Sequence, residues 1–140
     1  MKKTILTLIA FITLLTSVTL IPANAAIADP GETVMPLWDN TSTVNISLLF
    51  GDNGYGYAEG TVAGKIGVTN IIFEVVVYKQ VGTAWVQVSE KQVVVPRQNG
   101  GISCAFPLES GAYYKAEYTF TVTRNGVDEI IQKTKTGTNN

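Results

Sequence analysis

Five aromatic side chains have the chemistry best suited to recognition of another molecule. They are Trp38, Tyr55, Tyr57, Trp85 and Tyr113. Flat rings on a sheet face or in a loop can stack against sugars or anchor a protein partner, because Trp and Tyr are enriched among binding hot spots. The same residues also stabilise sheets by packing across strands. We expect packing at Trp38, which lies in a polar, proline-containing stretch, since large exposed aromatic patches are unusual on soluble monomers.

The residue types that most catalytic and metal sites need are scarce. The sequence has no His, which excludes Ser-His-Asp and Cys-His nucleophiles and imidazole metal ligands. Its single Cys, Cys104, can form neither an intrachain disulfide nor a zinc knuckle. Because Cys104 alternates with Ile102 and Phe106, we predict that it is a small core residue. The sequence therefore predicts a protein that is not an enzyme and has no cofactor and no metal.

The glutamates are spread along the chain rather than paired: Glu59, Glu74, Glu90, Glu109, Glu117 and Glu129. A glycosidase needs two carboxylates about 5–10 Å apart, and nothing in this spacing predicts such a pair. We expect these side chains at the surface, where charged groups usually lie. The single acid of Asp52-Asn53-Gly54 supplies too few oxygens for calcium, which takes about six to eight, so this segment is predicted to be a turn.

The charge balance bears on the kind of partner. The sequence contains ten Lys and Arg residues and eleven Asp and Glu residues, which gives a net charge of -1. Proteins that bind nucleic acid carry basic patches, so we predict no nucleic-acid partner. An extracellular protein or a glycan is the expected partner, and self-association is the alternative.

The first 25 residues have the pattern of a secretory signal peptide. Lys2 and Lys3 precede an apolar run over residues 5–21, and Pro22 and Ala23-Asn24-Ala25 supply a helix break and a cleavage site. A membrane anchor is the other interpretation, since the run approaches the lower limit of a membrane span. Its hydroxyl residues and the cleavage pattern favour cleavage. The mature protein would then be extracellular, free of the membrane, and either released or retained at the cell wall.

From Thr43 onward, apolar and polar residues alternate between turn signals, with no helical period. Residues 71–79 are apolar on both faces, which is typical of a central strand. Asn125-Gly126 is a strong signal for a two-residue hairpin. The pattern predicts an all-β protein, a single antiparallel two-sheet sandwich of about seven strands. We assign the sandwich to residues 43–136, after a flexible leader over residues 26–42 and before a tail over residues 137–140.

The segment Leu108-Glu109-Ser110-Gly111-Ala112-Tyr113-Tyr114 resembles the crossover into the sixth strand of fibronectin type III and related immunoglobulin-like domains. The resemblance implies an immunoglobulin-like sandwich and assigns Leu108, Gly111 and Tyr114 to a structural tyrosine corner, in which a buried phenol bonds to the backbone of its own crossover. The hairpin over residues 75–88 also looks like the third and fourth strands of such domains. Ala116 stands where immunoglobulin domains have their second Cys.

A second resemblance begins at Met35-Pro36-Leu37-Trp38-Asp39-Asn40-Thr41, which looks like a segment of small secreted proteins of Gram-positive bacteria that have no assigned activity. Together these features predict a secreted, non-enzymatic immunoglobulin-like domain that serves in extracellular binding or adhesion through its loops or an aromatic face. The alternative is an envelope-associated structural or self-assembling protein that acts through its strand edges.

Overall fold

Two antiparallel β-sheets make up residues 37–140, the part of the chain that the computed structural model describes. The predicted signal peptide and most of the predicted leader lie outside the described residues. The strands are β1 (Thr41–Phe50), β2 (Tyr55–Gly64), β3 (Val68–Val81), β4 (Ala84–Val95), β5 (Asn99–Pro107), β6 (Tyr113–Arg124) and β7 (Val127–Thr138).

The strand order is β1-β2-β5 in a three-stranded sheet and β4-β3-β6-β7 in a four-stranded sheet, and all paired strands are antiparallel. The predicted all-β sandwich of seven antiparallel strands in two sheets is confirmed. β3, which contains the stretch that is apolar on both faces, lies between β4 and β6. Asn125 and Gly126 join β6 to β7 with φ angles of 53° and 75°, as a type I′ turn requires.

The sandwich extends two residues beyond the range 43–136 at each end. β1 begins at Thr41, which pairs with Gly64 next to a register shift, and β7 continues to Thr138, opposite Tyr113. Beyond β7, the N–H of Asn139 donates to a crossover carbonyl at 3.0 Å. Backbone pairing decides where these strands end, and a polar sequence pattern does not reveal such pairing.

The core lies between the inward faces of the two sheets. The fully buried side chains of the four-stranded sheet are Ile71, Phe73, Val75 and Val77 of β3 and Tyr114, Ala116, Tyr118, Phe120 and Val122 of β6. In β7, Ile131 is buried whereas Ile130 is 66% exposed, so only one of the two adjacent isoleucines faces the core. This alternation follows from the two-residue period of a strand. Each buried large apolar side chain contributes about 1.5–3 kcal/mol.

β2 presents small residues to this core. Its buried inward positions are Gly56, Ala58, Gly60, Val62 and Gly64. A Cβ atom added to Gly56 would lie 2.3 Å from Phe106 Cζ, and one added to Gly60 would lie 2.8 Å from Phe120 Cζ. Both rings are buried among other side chains, so they cannot move aside without disturbing a close-packed interior. Phe106 lies in β5 of the same sheet, so Gly56 makes room for a neighbouring ring, whereas Phe120 lies in β6, so Gly60 lets the two sheets approach each other.

We expect Gly60→Ala to lower the free energy of unfolding by about 1–3 kcal/mol, because an extra methyl group must enter a filled core. Urea denaturation measures the change. Thr61→Ala, at the next and exposed position, is the matched control and should change stability by about 0.5 kcal/mol or less. An unchanged unfolding midpoint for Gly60→Ala would contradict close packing of the sheets at this point.

The residues that lead into β1 are fixed by the carboxylate of Glu129 on β7. Glu129 accepts hydrogen bonds from the N–H of Asp39 at 2.5 Å, the N–H of Asn40 at 3.2 Å and the hydroxyl of Thr41 at 2.7 Å. The side-chain amide of Asn40 donates to two backbone carbonyls of β6 and β7 at 2.9 and 3.0 Å. Glu129 therefore does more than solubilise the surface, because charge-assisted bonds hold the start of the domain against the opposite sheet.

Removing this acceptor should loosen the start of β1. In Glu129→Ala, we expect the amide protons of Asp39 and Asn40 to exchange with solvent at least about tenfold faster, because each lost bond to a charged acceptor is worth about 1.5–3 kcal/mol. Hydrogen exchange followed by NMR measures this rate. Glu59→Ala, on the other sheet, should leave both rates unchanged. Equal rates in Glu129→Ala and the unaltered chain would show that the segment is held by other contacts.

Candidate functional site

Three aromatic side chains and a lysine meet on the outer face of the four-stranded sheet, where β3 ends and β4 and β6 begin. The ring centroids of Trp85 and Tyr113 lie 5.7 Å apart, with the ring planes inclined at 43°. Lys115 Nζ lies 4.9 Å from the centroid of Trp85 and 4.7 Å from that of Tyr78, and 2.7 Å from Glu117 Oε1. Trp85 is 36% exposed and Tyr113 is 37% exposed. Tyr78, Trp85, Tyr113 and Lys115 are called the aromatic cluster below.

Strand pairing brings the aromatic cluster together from three strands. Gln80 of β3 lies opposite Trp85 of β4, and Tyr78 lies opposite Lys115 of β6. A register shift in β4, opposite Val77 and Tyr78, inserts one extra residue. As a result, Trp85 and Glu90 both point outward, although strict alternation would put residues five apart on opposite faces.

Carboxylates lie on the same face, beside the aromatic cluster. Glu90 of β4 and Glu117 of β6 both pair with Val76 of β3, one from each side. Glu74 lies two residues away along β3, and so points to the same face. A shallow depression of about 310 Å³ is lined by Glu74, Val75, Val76, Glu90, Lys91 and Gln92. The ammonium group of Lys91 donates a hydrogen bond to the carbonyl of Ser103 on β5 at 2.8 Å. Glu74, Glu90 and Glu117 thus lie at the surface, as expected, and they form one acidic region instead of being scattered.

Tyr55 and Tyr57 lie on the outer face of the other, three-stranded sheet. Tyr55 is 52% exposed and pairs with Pro107 of β5, whereas Tyr57 pairs with Leu49 of β1 and is half-buried. The thickness of the sandwich separates these two rings from the aromatic cluster. The structure therefore divides the predicted binding residues between two opposite surfaces, and only Trp85 and Tyr113 meet.

Trp38 lies before β1, at the far end of the sandwich from the aromatic cluster. Its ring is half-buried and packs against the core, with Lys133 Nζ 5.4 Å from the ring centroid. The ammonium group of Lys65 donates a hydrogen bond to the backbone carbonyl of Trp38. These contacts help Glu129 to hold the start of the domain.

The crossover from β5 to β6 is held by the residue that the resemblance assigned to a tyrosine corner. The Tyr114 hydroxyl accepts a hydrogen bond from the N–H of Glu109 at 2.8 Å and donates to the carbonyl of Pro107 at 3.2 Å. Leu108 is half-buried against the core, and Gly111 has a φ of 73°, a conformation that glycine adopts at little cost. These contacts fix the start of β6, where the aromatic cluster begins.

Two polar groups lie inside the sandwich, one beside the edge strand β4 and the other beside the edge strand β1. Cys104 is buried, which confirms its predicted place in the core, and its Sγ lies 3.3 Å from Ser89 Oγ. The hydroxyl of Tyr118 donates to the carbonyl of Ser47 at 2.6 Å. Burial, and to a smaller extent the charges of Cys104 and Glu59, raise the pKa of Tyr118 above the ordinary value of 10.0.

Sequence reasoning missed Tyr78 and Lys115 as members of the cluster. The sequence did contain a signal for Tyr78. A two-residue turn at Gly82-Thr83 places Gln80 opposite Trp85, and Tyr78 lies on the same face of β3, two residues before Gln80. Lys115 and Tyr113 reach the cluster through the pairing of β3 with β6, which are far apart in sequence. No local pattern predicts that pairing.

Within residues 37–140, no group of three or more His, Cys, Asp or Glu residues is arranged to hold a metal ion. In the same range, no helix is long and apolar enough to cross a membrane.

No protein-family model matches this sequence, and no curated protein is significantly similar to it. A protein of known structure from Archaeoglobus fulgidus is 10% identical, with a TM-score of 0.38 over 70% of this chain and 94% of its own. A glycosyl hydrolase family 2 member from Bacteroides cellulosilyticus DSM 14838 is 13% identical, with a TM-score of 0.35 over 66% of this chain. This chain corresponds to only 14% of the hydrolase's length.

The raised pKa of Tyr118 predicts a loss of stability in alkali. The folded state keeps the phenol protonated where the unfolded state loses its proton, so this contribution is complete below about pH 10 and is lost as the pH rises. Between about pH 10 and 11, the unfolding free energy of the unaltered chain should fall more steeply than that of Tyr118→Phe. The difference between the two decreases over this pH unit should be at most about 1.4 kcal/mol. Tyr55→Phe, at an exposed ring, should keep the steeper slope. Equal slopes for the unaltered chain and Tyr118→Phe would contradict the prediction.

Proposed function

We propose that this chain is a secreted, non-enzymatic module for extracellular binding or adhesion, and that it recognises a protein or a glycan through the aromatic cluster. The observation that carries the proposal is the exposed pair of Trp85 and Tyr113 on a sheet face. Trp and Tyr are the residues most enriched at binding hot spots. The two rings pack on each other, and Lys115 packs on the ring of Trp85, which orders the pair in advance, so that binding would cost little side-chain entropy.

We further propose that the sandwich is of the immunoglobulin-like type. With strands numbered in chain order, immunoglobulin constant domains have the sheets 1-2-5-4 and 3-6-7. Here β4 pairs with β3 instead, and the remaining order is the same. Fibronectin type III domains share this sandwich architecture. The bond between the Tyr114 hydroxyl and the crossover backbone also supports the assignment.

The proposals of secretion and of a non-enzymatic role are supported mainly by the sequence. The pattern of residues 1–25 supports export from a bacterial cell, with the extracellular space or the cell wall as the destination. The absence of His removes the usual nucleophile–base pairs. The burial of Cys104 also keeps the one thiol away from substrates in solvent.

The second candidate function is an envelope-associated structural or self-assembling protein that acts through its strand edges. The edge strand β4 favours it, because Val94 is 59% exposed and Val86 is also exposed. Apolar edge strands readily pair with other chains. The neighbouring edge of β5 is less accessible, since the side chains of Ser89 and Lys91 donate hydrogen bonds to two of its carbonyls.

The test is binding of the fluorescently labelled chain, expressed from its full-length sequence, to intact bacteria, isolated peptidoglycan and a glycan panel. Trp85→Ala and Tyr113→Ala should each weaken saturable binding by about tenfold or more, the size of a hot-spot loss. Tyr55→Ala removes an exposed ring from the opposite sheet and should leave the affinity unchanged.

Two results would contradict the proposal in different ways. Binding that Tyr55→Ala weakens and Trp85→Ala does not would move the site to the three-stranded sheet. Absence of binding to all three targets, together with concentration-dependent oligomers in sedimentation, would favour the self-assembling alternative.

A further inference from the structure

We propose that the outer face of the four-stranded sheet binds an extended, basic segment of another protein. The inference rests on the proposed function and deepens it by choosing protein over glycan. The segment would place a Lys or Arg side chain over the carboxylates around Val76. About four residues along, it would place an apolar side chain against Trp85 and Tyr113.

Charge is the first reason for this choice of partner. The outward positions of the four-stranded sheet carry four carboxylates and one ammonium group, on Glu74, Glu90, Glu117, Asp128 and Lys115. Lys115 pairs with Glu117, whereas Glu74 and Glu90 form no ion pair with any of residues 37–140. The outward positions of the three-stranded sheet carry one carboxylate, Glu59, and no basic group. Asp128 lies opposite Thr123 at the far end of β6, so the attraction for a basic partner comes from the three glutamates around Val76.

Lys115 already supplies the cation of the aromatic cluster, so the partner side chain that enters there is apolar. Lys115 Nζ lies 4.7 Å from the Tyr78 centroid and 4.9 Å from the Trp85 centroid, within the range of about 6 Å over which ring faces attract cations. The rings of Trp85 and Tyr113 are inclined at 43°, so they do not present one flat platform of the kind on which a sugar ring stacks.

The spacing of the two features matches an extended polypeptide. The depression lies beside Val76, and the Trp85–Tyr113 pair flanks Gln80, four residues later on β3. At about 3.3 Å per residue, this separation is about 13 Å, and an extended segment lying along β3 spans it between residues i and i+4, whose side chains point the same way. The depression of about 310 Å³ is at the lower end of small-ligand sites, large enough for one long side chain.

An NMR titration of the ¹⁵N-labelled chain, expressed from its full-length sequence, tests the inference. The probe is a pentapeptide, blocked at both ends, with lysine first, tyrosine fifth and serine or threonine between them. It should shift the amide resonances of outward residues of β3, β4 and β6. The double variant Glu74→Gln with Glu90→Gln should bind it about tenfold more weakly, since each exposed charge contact is worth up to about 1 kcal/mol.

The controls separate a specific face from general attraction by net charge. Asp52→Asn with Glu59→Gln removes the same charge elsewhere, and should bind the peptide as the unaltered chain does. A peptide with glutamate in place of lysine should not bind. Equal weakening by the two double variants, or binding of the glutamate peptide, would overturn the inference.

The remaining outcomes distinguish the inference from the proposed function. If the lysine peptide does not bind, but a neutral oligosaccharide binds and Trp85→Ala abolishes that binding, the inference fails and the proposed function stands. If neither probe shifts any resonance of the aromatic cluster, and none of the cellular targets binds, both fail.

Discussion

The structure depends on the contact of two buried phenylalanine rings with two glycines of β2. Phe106 lies over Gly56 and Phe120 lies over Gly60, in each case so closely that a single added carbon atom would overlap the ring. Phe106 belongs to β5 of the same sheet and fills the space over Gly56, whereas Phe120 reaches Gly60 from β6 of the opposite sheet. Gly60 therefore sets the distance between the sheets, and the large side chains of β6 pack against the small face of β2. Because both sets follow a two-residue alternation, this one contact also determines which residues point outward.

Buried polar groups then fix the β5–β6 crossover and the edge strand β1. The phenol of Tyr114 bonds to the β5–β6 crossover, and that of Tyr118 reaches across to a carbonyl of β1. No buried side-chain nitrogen or oxygen among residues 37–140 lacks a partner, in keeping with the high cost of an unmade bond in a core. The anchoring of Tyr114 has a consequence on the outside, since its neighbour Tyr113 must then point away from the core.

The two outer faces differ, and this difference supports a directional binding role. The outer face of the four-stranded sheet carries the Trp85–Tyr113 pair, the ammonium group of Lys115 and a group of nearby glutamate carboxylates. The three-stranded face has two separate tyrosines and one carboxylate. Side chains of β4 occupy the neighbouring edge of β5, which leaves the face of the larger sheet more available than that edge.

Local patterns in the sequence determined the number and approximate positions of the strands, the hairpin at Asn125-Gly126 and the burial of Cys104, because alternation and turn chemistry act over a few residues. They also identified Trp85 and Tyr113 as candidates. Only the tertiary structure decided that these two meet while Tyr55 and Tyr57 lie on the opposite face, and that Lys115 joins the cluster. The physical reason is that strand pairing between distant segments, and the one-residue shift in β4, determine which outward residues become neighbours.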